Sequence, residues 1–151
     1  MSAKYSPQQI DNLRKGLAED AEKLLGIPYK LGAEWTDLSK APPFIDCSEM
    51  VEGLFRKRAL EMPDGAVNQW LFLKAYPASQ PTTGDIGFFI ERDGQPDRPK
   101  GTVYHSGMIF DASRVIEARG KPYDKVLFRP VIAWREFKNF GGWVSHPDLI
   151  A

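Results

Sequence analysis

The chain contains 151 residues, of which 42% are hydrophobic, with 20 basic and 20 acidic side chains. This length fits one domain with a sizeable core, so we predict a single domain over residues 1–151. With this balanced charge, nothing indicates the strongly basic face that nucleic-acid binding requires. The single cysteine, Cys47, excludes an internal disulfide and a zinc site built from several cysteines. We expect a monomer that binds no nucleic acid.

The N-terminal segment predicts a helix with a clear start signal. Ser6 is a suitable N-cap, Pro7 fits the first helical position, and Gln9 completes a capping box. Apolar residues then recur at helical spacing as far as Leu24. The segment lacks the apolar core of a signal peptide, and no part of the chain approaches the roughly 20 apolar residues that span a bilayer. We therefore expect synthesis and folding in the cytoplasm, without membrane insertion.

The middle of the chain predicts a loop followed by two helices. Residues 28–45 contain proline and glycine without a regular apolar period, which indicates an ordered loop. Helices are predicted over about residues 47–60 and 66–75, because apolar residues again recur at helical spacing.

After residue 81 the pattern changes to short apolar runs separated by turns. Strands are predicted over residues 86–90, 103–110, 114–118 and 125–132. Residues 91–102 form a long polar connection, and the tail 140–151 is predicted to be irregular. Helices first and strands later indicate an α+β domain with an antiparallel sheet.

Three residue types suited to nucleophilic catalysis occur at the predicted element boundaries. Cys47 begins a predicted helix, where unpaired amides and the helix dipole stabilise a thiolate. His105 lies on a strand, whereas His146 lies in the polar tail and is expected at the surface. Glu117 is an acid in an apolar strand; if strands 103–110 and 114–118 pair, it can face His105 and orient the imidazole. From these residues alone, a buried structural cysteine, a structural histidine and a solvent-facing glutamate remain alternatives.

Five motifs in a fixed order strengthen the catalytic interpretation. They are GIPYKLGAEW (26–35), FIDCSEMVEGLF (44–55), TTGDIGFF (82–89), HSGMIF (105–110) and VIEA (115–118). Together they resemble the NlpC family of papain-like cysteine peptidases, which cleave bacterial cell-wall peptides. The resemblance covers about residues 20–120. It implies a papain-like fold, with N-terminal helices packed on a central antiparallel β-sheet and the nucleophile at a helix N-terminus.

The resemblance also implies roles for the three residues singled out above. Cys47 matches the family nucleophile and His105 the general base. The third family residue is usually a histidine 12 positions after the base, and Glu117 occupies that position. A carboxylate there holds an imidazolium more strongly than a neutral histidine does.

Other matched positions concern the substrate cleft. Tyr29 matches a tyrosine that lines the active site and is a candidate oxyanion donor, and Asp46 and Ser48 match residues on the side that binds the substrate's amine. Ala33 and Glu49 depart from glycines of the family pattern. These two departures are expected to change the shape and charge of the cleft more than the chemistry.

The function implied by the resemblance is hydrolysis of peptidoglycan peptide stems next to γ-linked D-glutamate or diaminopimelate. No metal or organic cofactor is implied. A phage endolysin, a tail lysin or an injected antibacterial effector would fit a small wall hydrolase. The alternatives are a cysteine-dependent acyltransferase and a non-catalytic module that binds wall peptides or builds a phage tail. Competent residues at all three catalytic positions favour catalysis.

Overall fold

The computed structural model describes residues 3–151, which form helices, antiparallel strands and a C-terminal 3₁₀ turn at Pro147–Leu149. The helices are Pro7–Glu22 (α1), Cys47–Lys57 (α2), Ala66–Leu73 (α3) and Val131–Glu136 (α4). The strands are Ile86–Ile90 (β1), Val103–Ile109 (β2), Arg114–Arg119 (β3), Lys125–Pro130 (β4) and Phe140–Val144 (β5). Within residues 3–151, no helix combines the length and the apolar character needed to cross a membrane.

Side-chain caps define the starts of the first two helices. The Ser6 hydroxyl accepts a hydrogen bond from the Gln9 amide at 3.2 Å, and the Gln9 side chain accepts one from the Ser6 amide at 2.8 Å. The predicted capping box of α1 is therefore present. At α2, the Asp46 carboxylate accepts from the Glu49 amide at 2.9 Å and fixes Cys47 as the first helical residue.

The five strands form one antiparallel sheet in the order β4-β3-β2-β1-β5. The predicted irregular tail is wrong, because β5 pairs with β1 through Ile86 opposite Val144 and Gly87 opposite Trp143. The glycines that suggested irregularity instead permit close packing. A Cβ atom at Gly141 would lie 2.6 Å from the Ile90 side chain.

The predicted strand 125–132 is too long at its C-terminal end. β4 stops at Pro130, and the following Val131 begins α4, a helix absent from the sequence prediction. The Val131 amide donates to the Ser113 carbonyl at 2.9 Å, and Val131 and Trp134 are buried against the sheet. Tertiary packing thus overrides the strand preference of the β-branched pair Val131-Ile132.

The sheet separates two apolar clusters. Helices α1, α2 and α3 cover one face, where Phe88, Met108 and Ile116 supply buried strand residues. The other face carries α4 and an aromatic cluster that comprises Phe89, Ile109, Val115, Val131, Trp134 and Trp143. Of the catalytic candidates, His105 and Glu117 lie on the α4 face with Ile109 and Val115, and Cys47 begins α2.

His146 is buried, so its expected surface position is wrong. Its side chain is 1% exposed, stacked on Phe55 and in edge contact with Phe72. Nε2 bonds to the Glu61 carbonyl at 2.7 Å, and Nδ1 accepts from the Asp148 amide at 3.0 Å. The residue therefore closes the C-terminal turn onto the helical layer.

Candidate active site

Cys47 occupies the first position of the helix that packs on the centre of the sheet. Its side chain is 8% exposed. The Asp46 side chain and carbonyl accept from the amides of Glu49 and Met50. Within the described part of the chain, the Cys47 and Ser48 amides have no protein acceptor, so two donors stay free at the nucleophile.

Strand pairing brings His105 and Glu117 together. The register pairs Met108 with Ile116 and Ile109 with Val115, so His105 and Glu117 are diagonal neighbours on one sheet face. Nε2 of His105 lies 2.8 Å from Oε1 of Glu117. Glu117 is fully buried, and its carboxylate therefore needs several partners to remain charged.

The charge state of this pair follows from opposing effects. Burial lowers the pKa of His105, but the neighbouring Cys47 and Glu117 outweigh it and raise the pKa to about 9. For Glu117, burial acts to raise the pKa, but His105, Arg119 and Trp134 together lower it. A carboxylate beside an imidazolium is therefore favoured at neutral pH. The structure thus joins His105 to Glu117 by a hydrogen bond and places Cys47 near enough to influence the charge of His105.

Trp134 is a residue of this site that the sequence analysis missed. Its indole Nε1–H donates to Oε2 of Glu117, and its ring lies 5.5 Å from the His105 ring, centroid to centroid. The indole rests on glycines, because a Cβ atom at Gly107 would lie 2.8 Å from it and one at Gly87 would lie 3.0 Å away. Glycines inside two adjacent strands were the available signal for this close approach.

Gln69 is a second missed residue, and it links the nucleophile to the base through their chain neighbours. It is fully buried on α3. Its side-chain amide donates to the Ser48 carbonyl at 2.8 Å and to the Pro63 carbonyl at 3.1 Å. Its Oε1 accepts from the Ser106 hydroxyl at 3.3 Å. Ser48 and Ser106 directly follow Cys47 and His105, so Gln69 links the backbone of Ser48 to the side chain of Ser106.

The predicted cleft residues lie around the start of α2. Tyr29 is half-buried, and burial together with nearby Cys47 and Asp46 raises the pKa of its phenol to about 12. The hydroxyl therefore stays protonated and able to donate. Asp46 also accepts from the Gly32 amide at 3.0 Å, and the Ser48 hydroxyl lies 3.4 Å from the Asp46 carboxylate. Asp46 thus ties the Tyr29 loop to the nucleophile helix.

The two departures from family glycines, Ala33 and Glu49, line separate cavities. Ala33 borders a cavity of about 250 Å³ next to Phe44, and Glu49 borders one of about 400 Å³ beside α2. Carboxylate oxygens of Glu49, Glu52 and Asp64 lie within 4.8 Å of one another, a spacing that a metal ion can bridge. However, Glu49 already accepts from the Trp35 amide, and Glu52 pairs with Arg56. Neither cavity has Cys47 among its lining residues.

The long polar connection 91–102 is an ordered loop next to the catalytic strand. Buried Glu91 accepts from Arg98 at 2.9 Å and from the Asp93 and Gly94 amides. The Arg98 guanidinium lies 3.6 Å from the ring centroid of Tyr104, the residue before His105. The loop is therefore held against the start of β2.

Comparison with known families gives an assignment for the chain. The model of the NlpC/P60 family matches residues 26–133, a segment that contains Cys47, His105 and Glu117. The chain belongs to the NlpC/P60 family. The resemblance inferred from the five sequence motifs is confirmed.

Solved structures with this fold come from bacteria and a protozoan. The P60 domain of a Mycobacterium avium subspecies paratuberculosis antigen is 18% identical with a TM-score of 0.69, and covers 95% of this chain and 99% of its own. RipB from Mycobacterium tuberculosis is 18% identical with a TM-score of 0.67, at 93% and 67% coverage. NlpC2 from Trichomonas vaginalis is 16% identical with a TM-score of 0.67, at 89% and 47% coverage.

These likenesses confirm the predicted α+β, papain-like fold. The chain spans less than half the length of the Trichomonas vaginalis proteins NlpC1 and NlpC2. Comparison with curated proteins gives no sequence match.

Proposed function

We propose that this protein is a cysteine endopeptidase that hydrolyses peptide stems of bacterial peptidoglycan. The observation that carries the proposal is the hydrogen-bonded pair of His105 and Glu117 beside Cys47 at the start of α2, in a chain of the NlpC/P60 family. RipB, which shares the fold, is described as a peptidoglycan hydrolase. The reaction class is acyl transfer to a thiol followed by hydrolysis.

The proposed reaction uses His105 as acid and base in turn. The Cys47 thiolate, paired with the His105 imidazolium, attacks the scissile carbonyl carbon and forms the C–S bond. Collapse of the tetrahedral intermediate breaks the C–N bond, and His105 gives its proton to the leaving amine. His105 then takes a proton from water, which attacks the thioester and returns the thiol. Glu117 holds the imidazole throughout and stabilises its charged form.

Donors for the intermediate's oxyanion lie at the start of α2. The free amides of Cys47 and Ser48 are the backbone candidates, and the protonated Tyr29 hydroxyl is the side-chain candidate. Removing one such donor costs on the order of 100-fold in rate in other acyl-transfer enzymes. In this proposal, the negative charge that develops on the carbonyl oxygen is stabilised by donors that are already in place before the substrate binds.

The cleaved bond and the biological setting are proposed from the family resemblance of the sequence. We propose cleavage next to γ-linked D-glutamate or diaminopimelate. The biological settings that we propose are those of the sequence analysis, a phage endolysin, a tail lysin or an antibacterial effector.

The deciding experiment is digestion of purified peptidoglycan sacculi, with the released fragments identified by mass spectrometry. Wild-type protein should release soluble peptides, whereas Cys47→Ala and His105→Gln should release none. His146→Gln, which alters the chain's other histidine, serves as the matched control and should retain activity at neutral pH. The fragment masses identify the bond.

Each result has a definite meaning. Equal release by wild type and Cys47→Ala would show that Cys47 is not the nucleophile. No release by wild type from sacculi of either diaminopimelate or lysine chemistry would refute the hydrolase proposal.

A further inference from the structure

The Trp134 indole lies in a narrow space on the α4 face of the sheet. Gly87 of β1 pairs directly with Gly107 of β2, and the indole fills the space that side chains at these positions would occupy. The Phe89 ring lies 4.2 Å from the Trp134 ring, and the Trp143 ring is stacked 5.7 Å away, centroid to centroid. Only 1% of Trp134 is exposed. The indole N–H is therefore a hydrogen-bond donor with a fixed position and direction.

The donors around Glu117 are divided between its two carboxylate oxygens. Oε1 lies 2.8 Å from Nε2 of His105 and accepts from Nη1 of Arg119 at 3.3 Å. Oε2 accepts from the Trp134 indole, its single hydrogen-bond partner within residues 3–151. Because Glu117 is fully buried, loss of this donor would leave Oε2 as a buried anionic oxygen that no protein group stabilises.

The indole also determines which way the carboxylate faces. The last side-chain torsion of a glutamate is soft, so a carboxylate held at one oxygen alone can rotate. Trp134 holds Oε2, and this leaves Oε1 directed at His105. Because an indole N–H donates and accepts nothing, the side chain at position 117 has to accept from His105 and Trp134 at once. A carboxylate does so, whereas an amide has one acceptor oxygen and an NH₂ group that would face one of the two donors.

We propose that Trp134 is a positioning residue of the catalytic centre, whose N–H holds the Glu117 carboxylate toward His105 and makes a carboxylate necessary at position 117. This inference rests on the proposed cysteine hydrolase and deepens it. Helix α4 thereby gains a role in the reaction, because it brings this donor to the strands that carry His105 and Glu117. Glu117 and Trp134 then act as one unit.

The test is a double-mutant cycle between Glu117→Gln and Trp134→Phe in the full chain. Trp134→Phe keeps an aromatic ring and removes the N–H. Beside Glu117 it should lower activity by about 10-fold, because a buried carboxylate oxygen loses its hydrogen bond. Beside Glu117→Gln it should instead raise activity by at least about 5-fold, because the amide oxygen can turn to His105 without the NH₂ group facing an indole N–H. A purely structural role of Trp134 predicts a loss in both backgrounds.

Two rates are measured for the four proteins of the cycle. The first is the initial rate of peptide release from purified sacculi. The second is the rate of alkylation of Cys47 by iodoacetamide at neutral pH, which needs no substrate and is unambiguous because Cys47 is the only cysteine. The thiolate is the form that reacts, and a stabilised His105 imidazolium favours it. Both rates should therefore show the same reversal of sign.

Trp143→Phe is the matched control. It makes the same substitution in the stacked neighbouring indole, whose Nε1 has no hydrogen-bond partner within the described part of the chain. It should raise neither rate in the Glu117→Gln background. Because a smaller ring at position 134 also alters packing, 3-benzothienylalanine at that position gives a second variant, which keeps both rings and carries sulfur in place of the N–H. Thermal unfolding of each protein checks the fold.

The outcomes separate the role of Trp134 from the hydrolase proposal. If both replacements at position 134 change the two rates by the same factor beside Glu117 and beside Glu117→Gln, the positioning role is overturned and the hydrolase is unaffected. If wild type releases no peptide but the alkylation rates reverse in sign, the hydrolase is refuted and Trp134 still positions Glu117 for His105. Equal alkylation factors without any peptide release overturn both.

Discussion

At position 117 the chain has a carboxylate where its family usually has a histidine, and the surroundings of Glu117 are built for a charge. Its two oxygens receive hydrogen bonds from His105, Arg119 and Trp134, and the side chain is fully buried. A neutral imidazole accepts a single hydrogen bond and does not balance Arg119. The substitution at 117 thus goes together with Trp134 and Arg119, which argues for a working triad rather than a decayed one.

The charge of Glu117 can be tested by Glu117→Gln, which keeps the shape of the side chain. Because Glu117 helps to raise the pKa of His105, the variant should lower that pKa and shift the alkaline limb of the kcat/KM profile to lower pH. Loss of one charged hydrogen bond should reduce kcat/KM by about 10- to 100-fold. The measurement is the pH dependence of stem-peptide cleavage from pH 5 to 10.

Glu136→Gln, an exposed change on α4, is the matched control and should behave as wild type. An unshifted alkaline limb in Glu117→Gln would falsify the assignment of Glu117 to the charge of His105.

At the scale of elements, the sequence predicted those helices and strands whose boundaries are set by neighbouring residues. The capping box at Ser6 marks the start of α1, and the apolar run after the turn residues Gly84-Asp85 marks the start of β1. Helix α4 and strand β5 were missed, because Val131-Ile132 favours a strand and Gly141-Gly142 favours a turn. Only packing across the sheet reverses these preferences.

The candidate site likewise contains residues that local sequence motifs identify and residues that only tertiary packing brings there. Cys47, His105 and Glu117 belong to sequence motifs, and the strand register brings the last two together. Trp134 and Gln69 reach the site from other elements of the chain; the strand glycines Gly87 and Gly107 hint at the close approach of Trp134, and no local pattern marks Gln69. Contacts between distant elements are not visible in the periodicity of a single sequence.

Gln69 gives a prediction for how α3 joins α2 to β2. Gln69→Leu retains the approximate volume but removes the acceptor of the buried Ser106 hydroxyl and one donor to the part-buried carbonyls of Ser48 and Pro63. We expect a loss of about 2 kcal/mol in the free energy of unfolding, because an unsatisfied buried group costs about 1–3 kcal/mol. We also expect a fall in kcat greater than the change in KM. Urea unfolding and stem-peptide kinetics measure both quantities.

Asn68→Leu, at the adjacent and exposed amide, is the matched control. If Gln69→Leu and Asn68→Leu lose similar stability and activity, the link through Ser48 and Ser106 does not position the catalytic groups.

At the scale of the whole molecule, the C-terminal turn is fastened to the helical layer by His146. Its Nδ1 must stay unprotonated to accept from the Asp148 amide, while Nε2–H donates to the Glu61 carbonyl. Burial lowers the pKa of His146 below 6.5, although the Glu61 carbonyl partly opposes this. The folded protein therefore contains the neutral imidazole, and protonation of Nδ1 breaks its hydrogen bond with the Asp148 amide inside the turn.

The pKa values of Glu49 and His105 are raised, whereas that of His146 is lowered. Burial raises the pKa of Glu49 to about 7; the Trp35 amide partly offsets this effect, and Glu52 and Asp64 reinforce it. The stability contributed by Glu49 protonation is present below pH 4.5 and is lost as pH rises toward 7. The raised pKa of His105 gives stability that is present below pH 6.5 and is lost as pH rises toward 9. Neither effect involves the C-terminal turn.

The contribution of His146 is isolated by comparing wild type with His146→Gln, whose amide can donate and accept but does not titrate. A lowered histidine pKa gives stability that is fully present above pH 6.5 and is lost as pH falls. The difference in free energy of unfolding between the two proteins should thus be constant from pH 6.5 to 8. Below pH 6.5 the free energy of unfolding of wild type should fall relative to that of His146→Gln, by up to about 1.4 kcal/mol for each pH unit. Because Glu49 and His105 titrate alike in both proteins, their effects cancel in this difference. Urea unfolding at intervals of half a pH unit provides the values, and a difference that stays flat down to pH 5 would show that His146 is not the acid-sensitive link.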